Sequence, residues 1–166
     1  MSILEKDTFE FISRSPEQTQ RIGIRLGRYL QAEDVICLTG ELGAGKTTLV
    51  KGIAKGWGTS EAVTSPTFVL INQYGRPDGS ALYHLDAYRL NSSAEAEDLD
   101  LEQLISEGPL MVEWPERISG SLPSDSLWIE MSWVADEHRQ IIFKPQGRRY
   151  IELLAKLTEN MIKSLP

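Results

Sequence analysis

Residues 40–47 constrain this chain more than any other segment. They read Gly40-Glu41-Leu42-Gly43-Ala44-Gly45-Lys46-Thr47, an ungapped G-x-x-x-x-G-K-[ST] pattern. The apolar, β-favouring run Val35-Ile36-Cys37-Leu38 precedes it and reads as a strand buried on both faces. Leu49, Val50, Ile53, Ala54 and Trp57 follow at helical spacing. A glycine turn can join any strand to a helix, but it needs no Lys-Thr pair at this distance. Glycines let successive backbone N–H groups face a phosphate, and the following helix adds its positive end. Lys46 supplies a point charge for terminal phosphates, and Thr47 a hard oxygen for Mg²⁺. Gly43, Ala44, Gly45, Lys46, Thr47 and Thr48 are therefore the expected nucleotide-binding residues.

The flanking pattern predicts an α/β fold. Ser15-Pro16-Glu17-Gln18 reads as a helix start, with Ser15 as cap and Gln18 closing a capping box. Ile22, Leu26, Tyr29 and Leu30 continue that helix. Phe68–Tyr74 and Ala81–Leu85 read as a hairpin around residues 75–80. An acidic helix is expected over Ala94–Ser106, then a strand over Leu110–Trp114. Alternation from Leu127 to Trp133 gives a half-buried strand, with Arg139–Lys144 as its antiparallel partner. Tyr150–Leu165 places Ile151, Leu154, Leu157, Met161 and Leu165 on one helical face. Residues 76–80 and 119–126 read as loops. The expected architecture is a phosphate-loop, three-layer fold with a largely parallel sheet and antiparallel edges, in one domain spanning residues 1–166.

Composition narrows the function. The chain has 166 residues, 41% of them hydrophobic, and a formal net charge of −7. Its longest apolar runs are far below the ~18 residues of a membrane span. Charges at Glu5, Lys6, Asp7 and Glu10 do not make a signal peptide. A single cysteine, Cys37, excludes an internal disulfide framework and a cysteine-based zinc site. These features point to a cytoplasmic protein.

Nucleotide hydrolysis also needs acids beside the loop. Asp86 ends Leu82-Tyr83-His84-Leu85, and Glu113 ends Leu110-Met111-Val112. Each can project from the carboxyl edge of the sheet, where α/β proteins bind ligands. One can serve Mg²⁺ and the other orient the attacking water; the sequence does not assign them. His84 shares a strand face with Asp86 and reads as a hydrogen-bonded structural residue. Thr64-Ser65-Pro66-Thr67 offers hydroxyls where a switch segment would sense a terminal phosphate. Trp114 either packs on the nucleotide or fills the core.

Four blocks then stand in order: the 40–47 loop, Thr-Ser-Pro-Thr-Phe at 64–68, His-Leu-Asp-Ala-Tyr-Arg-Leu at 84–90 and Val-Glu-Trp-Pro-Glu at 112–116. In series they resemble the TsaE family, small bacterial ATPases of tRNA threonylcarbamoyladenosine biosynthesis. The resemblance implies weak ATPase activity with ATP/ADP and Mg²⁺, in concert with a TsaB–TsaD heterodimer that modifies adenosine 37 of tRNAs reading codons that begin with A. It implies that tRNA is reached through that complex. It places the phosphates on Gly43–Thr47, the metal on Thr47 and Glu113, and the second acid at Asp86. Lys46, Asp86 and Glu113 are the expected catalytic residues. Arg139 matches an arginine that contacts nucleotide, and Glu17 a position near the base. His138 stands where a small residue is expected.

ATP is favoured over GTP because none of Asn72, Asn91 and Asn160 begins an N-K-x-D element. Two other functions fit a phosphate loop. A small phosphotransferase would need an arginine lid, for which Arg148 and Arg149 are available. A nucleotide-sensing module would bind without hydrolysis. Arg21, Arg25 and Arg28 form a basic stripe, either a solvated helix face or a contact for an acidic partner or tRNA phosphates. The acidic 95–107 segment is its opposite in charge.

Overall fold

The computed structural model describes residues 7–41, 43–64, 71–91 and 93–163. The elements run β1 (Phe9–Ser13), α1 (Pro16–Gly27), β2 (Val35–Thr39), α2 (Lys46–Trp57), β3 (Ile71–Gly75) and β4 (Ala81–Asp86). They continue with α3 (Ser93–Glu97), α4 (Leu101–Glu107), β5 (Leu110–Glu113), a 3₁₀ helix (Pro115–Ser121), β6 (Ser126–Ala135), β7 (His138–Gln146) and α5 (Arg148–Lys163). Among the described residues seven strands form one sheet in the order β1-β7-β6-β2-β5-β4-β3. The four central strands, β6-β2-β5-β4, are mutually parallel. β3 joins one end antiparallel, and β7 joins the other, with β1 antiparallel to it.

Alternation sorts the side chains into two cores. Ile36, Leu38, Met111, Ile129 and Phe143 point to the side covered by α1, α2 and α5. Val35, Cys37, Leu85 and Val112 point to the side covered by α3, α4 and the 3₁₀ helix. The expected three layers and largely parallel sheet are thus present. Burial pushes the Cys37 thiol up to about 12, so this side chain is core packing rather than a nucleophile.

α1 and α2 approach unusually closely through glycines one turn apart, Gly23 and Gly27 on one helix and Gly52 and Gly56 on the other. A Cβ on Gly27 would lie 2.1 Å from the Ile53 carbonyl oxygen, and one on Gly56 1.9 Å from that of Ile24. This contact fixes the axis of α2, which carries the lysine and threonine of the phosphate loop at its first two positions.

Local differences from the sequence reading have physical reasons. The acidic segment forms two helices, because Asp100 takes a left-handed conformation (φ 51°) and breaks the run between α3 and α4. α1 ends at Gly27, so Tyr29 and Leu30 pack beyond it. Ser15 caps α1 by accepting from the Gln18 N–H at 3.2 Å, but Gln18 Oε1 accepts from Arg14 N at 2.8 Å, one residue before the cap. Part of the 119–126 stretch belongs to the 3₁₀ helix. β1 is an additional strand. The 68–70 end of the predicted hairpin, the Ser65-Pro66-Thr67 hydroxyls, Leu42 and Leu165 lie outside the described residues.

Candidate nucleotide site

The loop between β2 and α2 sits at the carboxyl edge of the parallel strands. Gly40, Gly43 and Gly45 all have positive φ (146°, 84° and 100°), conformations that side chains rarely adopt. A Cβ on Gly43 would meet nothing within 4 Å, so this glycine serves backbone shape and open access rather than packing. Ala44 is buried, and its N–H donates to Glu41 O at 3.0 Å, tightening the turn. Gly45 precedes α2, so the helix presents its N-terminal N–H groups at the loop. Thr47 and Thr48 follow in the first turn, both partly buried.

Lys46 is only 7% exposed. Its Nζ donates to Gly40 O at 2.6 Å and lies 4.4 Å from the centre of the Trp114 ring. The ammonium is thus held across the loop, satisfied by a carbonyl and an aromatic face. Trp114 takes a left-handed conformation (φ 58°) just after β5 and packs on Tyr88, ring centres 5.1 Å apart. It is partly buried against the second core and also lies beside the loop through Lys46, so neither of its two readings displaces the other.

The two acids are brought together by register. Asp86 and Glu113 are paired across β4 and β5, and Leu38 of β2 pairs with Glu113 on its other side. Asp86 Oδ1 accepts from Tyr88 N at 2.9 Å, which turns the chain after β4. Glu113 is 6% exposed, and its Oε2 lies 2.8 Å from His84 Nε2. His84 is itself 1% exposed, and its Nδ1 is buried without a partner among the described residues. In the neutral ring with Nε2–H donating to the carboxylate, Nδ1 is an acceptor. Oε1 of Glu113 accepts no hydrogen bond among the described residues. A hydroxyl at Thr47 and a carboxylate oxygen at Glu113 are hard donors of the kind Mg²⁺ takes, with waters and phosphate oxygens completing its shell. Among the described residues no group of three or more His, Cys, Asp or Glu gathers as a metal site, so a dedicated all-protein cage is absent there.

The β6–β7 hairpin closes the other side. Arg139 Nη2 donates to Gly43 O at 3.3 Å, and Nη1 to Asp136 O at 2.8 Å. Its buried Nε has no partner among the described residues. Met131 packs on the loop beside Gly45. A cavity of about 520 Å³ opens between the loop and Met131, Ser132 and Trp133. Glu17 behaves differently: it is exposed in the first turn of α1 and makes no hydrogen bond or ion pair with the loop among the described residues. The structure therefore gathers the 43–48 loop, Asp86, Glu113 and Arg139, and leaves Glu17 without a contact to them. His84 is hydrogen-bonded as expected, but its partner Glu113 and the Met131 wall were not predicted. The period-2 match of His84 with Asp86 was the available signal for the first.

The arginines available for a lid are occupied. Arg149 Nε and Nη2 bind the buried Asp34 at 3.0 and 2.8 Å, and Nη2 also reaches Tyr29 O. Arg148 pairs with Glu152 one turn on.

Comparison with known proteins identifies a family. Residues 13–141 match the model of the family described as "Threonylcarbamoyl adenosine biosynthesis protein TsaE". The chain is 39% identical to the Bacillus subtilis tRNA threonylcarbamoyladenosine biosynthesis protein TsaE over 88% of this chain and 91% of that one. It is 42% identical to the Streptomyces coelicolor protein of the same name, over 79% of this chain and 93% of the other. The crystal structure of Bacillus subtilis YdiB superposes with a TM-score of 0.80 at 33% identity, covering 96% of this chain and 99% of that one. With its phosphate loop, its paired strand-end acids and these relatives, the chain belongs to the TsaE family.

Proposed function

We propose that the chain, as one phosphate-loop domain, binds ATP and hydrolyses it slowly in the threonylcarbamoyladenosine modification of tRNA adenosine 37. It works with a TsaB–TsaD heterodimer and meets tRNA through that complex. The observation that carries this reading is the site itself: in a TsaE-family chain, the loop lysine, a clasped carboxylate and a second carboxylate converge at one edge of the sheet. No described helix is long and apolar enough to cross a membrane, which fits a cytoplasmic role.

Each residue then has a task. Loop N–H groups and Lys46 hold the terminal phosphates, with Lys46 exchanging Gly40 O for phosphate oxygens. Arg139, anchored on Gly43 O, contacts the nucleotide from the hairpin, and Glu17 lies toward the base. Thr47 and Oε1 of Glu113 would hold Mg²⁺, which supplies positive charge opposite the phosphates. His84 ties down Oε2 and leaves Oε1 for the metal. Asp86 orients the attacking water. Charge stabilisation and positioning are the whole of the protein's contribution to phosphoryl transfer of this kind.

Glu113→Gln and Asp86→Asn should each lower ATP hydrolysis about 100-fold while the protein still binds ADP. His84→Ala should lower it about 10-fold and weaken the Mg²⁺ dependence of ADP binding, as loss of a residue behind a metal ligand does. Phosphate release measured with TsaB–TsaD present, alongside calorimetric ADP binding, checks all three. Wild-type hydrolysis by the Glu113 and Asp86 variants would remove the roles given to these two acids. A wild-type chain that binds ATP but never hydrolyses it would favour the nucleotide-sensing module. The phosphotransferase reading is weakened by the engagement of Arg149 with Asp34.

A further inference from the structure

One surface runs against the charge of the chain. The net charge is −7, yet a groove between β1, α1 and the end of α5 is walled by Arg14, Arg21 and Arg25. No acidic residue lines it among the described residues. None of these three guanidinium groups has an ion-pair partner there, although surface arginines on an acidic protein readily find one. The floor is apolar, formed by Phe11, Ile12 and Met161, and the groove holds about 480 Å³. Ile12 is 45% exposed. Arg28, the third member of the sequence stripe, lies outside the groove.

The second observation is the edge. Among the described residues β1 is the last strand of the sheet, paired with β7 on one side only. No described strand occupies its outer edge. Such an edge offers backbone N–H and C=O groups to an added strand unless charge, proline or a bulge blocks it. Phe9–Ser13 carries no proline, its register with β7 runs without a shift, and its one charge, Glu10, accepts from Gln140 Nε2 of β7 at 2.6 Å.

The two observations meet in one ligand chemistry. Arg21 and Arg25 are one helical turn apart, about 6 Å between Cβ atoms. Alternate side chains of an extended chain are about 6.7 Å apart. We propose that this groove docks an extended acidic segment of a partner protein, added along β1, with alternate carboxylates on Arg21 and Arg25 and an apolar residue over Ile12. Arg14 receives a third carboxylate at the end of the strand. An RNA backbone has no groups to continue a strand ladder and no apolar side chain to cover Phe11, Ile12 and Met161. The docking surface is separate from the phosphate loop, so it does not rest on nucleotide chemistry.

The test uses the full chain and a fluorescein-labelled peptide of five Glu-Leu repeats, read by anisotropy at low salt. The wild-type chain should bind it, and the Lys-Leu counterpart should fail to bind. Arg21→Glu with Arg25→Glu should weaken binding at least about 10-fold, with ADP affinity and melting temperature unchanged. Arg14→Glu, at an exposed position, gives a milder loss should the double variant melt early. Amide exchange of residues 9–13 should slow when the peptide binds. Equal binding by the Lys-Leu peptide or by the charge-reversed variants would overturn the proposal. Displacement of the peptide by a short oligouridine at lower concentration would assign the groove to RNA instead. Self-association lost in the double variant, with no peptide binding, would assign it to a second copy of the chain.

Discussion

Lys46→Ala should weaken ADP and ATP binding at least about 100-fold, roughly 2.7 kcal/mol, while the protein stays folded. The lysine is buried to 7% exposure with its ammonium on Gly40 O and over Trp114, so its charge is already desolvated and aimed across the loop. A phosphate oxygen that replaces Gly40 O meets a cation with little water left to shed. Alanine removes that charge, and the N–H groups of the loop alone must hold the phosphates. Stability changes little by comparison, because the lost bond closes a loop rather than a core layer. Lys46→Arg should not restore binding, since a planar guanidinium does not fit where a compact ammonium sits between a carbonyl and a ring. Calorimetric titration with ADP, next to thermal unfolding of each variant, separates the two effects. Near-normal affinity in the alanine variant would remove the loop from nucleotide binding.

Gly27→Ala should destabilise the protein by at least about 2 kcal/mol. The sign is the informative part. Helix propensity alone makes alanine about 1 kcal/mol better than glycine inside a helix. Packing reverses this, because the new Cβ would lie 2.1 Å from Ile53 O and 2.8 Å from Trp57 N. Both are backbone atoms of α2 and cannot swing away as a side chain would. The helices must separate, and Leu26 and Ile53, both fully buried, lose contact. α2 begins at Lys46, so its displacement should also weaken ADP binding, in proportion to the shift at the loop. Urea unfolding measures the first effect, with Gly56→Ala as a second instance from the facing helix. A stabilised Gly27→Ala variant would show that the helices are not held at this distance.

These cases show what a sequence reveals and what it hides. The phosphate loop was legible because its chemistry demands fixed residue types at fixed spacing. The central strands were legible because burial on both faces makes continuous apolar runs, as in Val35–Leu38 and Leu110–Val112. Asp86 and Glu113 followed from where those runs end. β1 was hidden because five residues with Ile12 next to Phe11 break simple alternation. The split of the acidic helix was hidden because Asp100 turns left-handed without a glycine or proline to mark it. The His84 clasp depends on β4 and β5 being neighbours, and strand order is not written in local pattern. The helix contact was visible in principle: Gly23/Gly27 and Gly52/Gly56 each stand four apart, but only the structure shows that they face one another. Glu17 is the residue for which resemblance rather than contact carries the assignment.

The basic stripe changed most on going from sequence to structure. Arg21 and Arg25 kept their common face, Arg28 left it, and Arg14 joined from the end of an edge strand. Charge that reads as a solvated helix face in one dimension becomes the wall of a groove in three.

The most direct test of the central claim is reconstitution of tRNA modification with purified TsaB, TsaD, tRNA and the threonylcarbamoyl donor. Modified adenosine formed per TsaB–TsaD complex should pass beyond one round only when this chain and ATP are both present, and Lys46→Ala should return it to the level without the chain. Repeated rounds that proceed equally well without the chain would contradict the account.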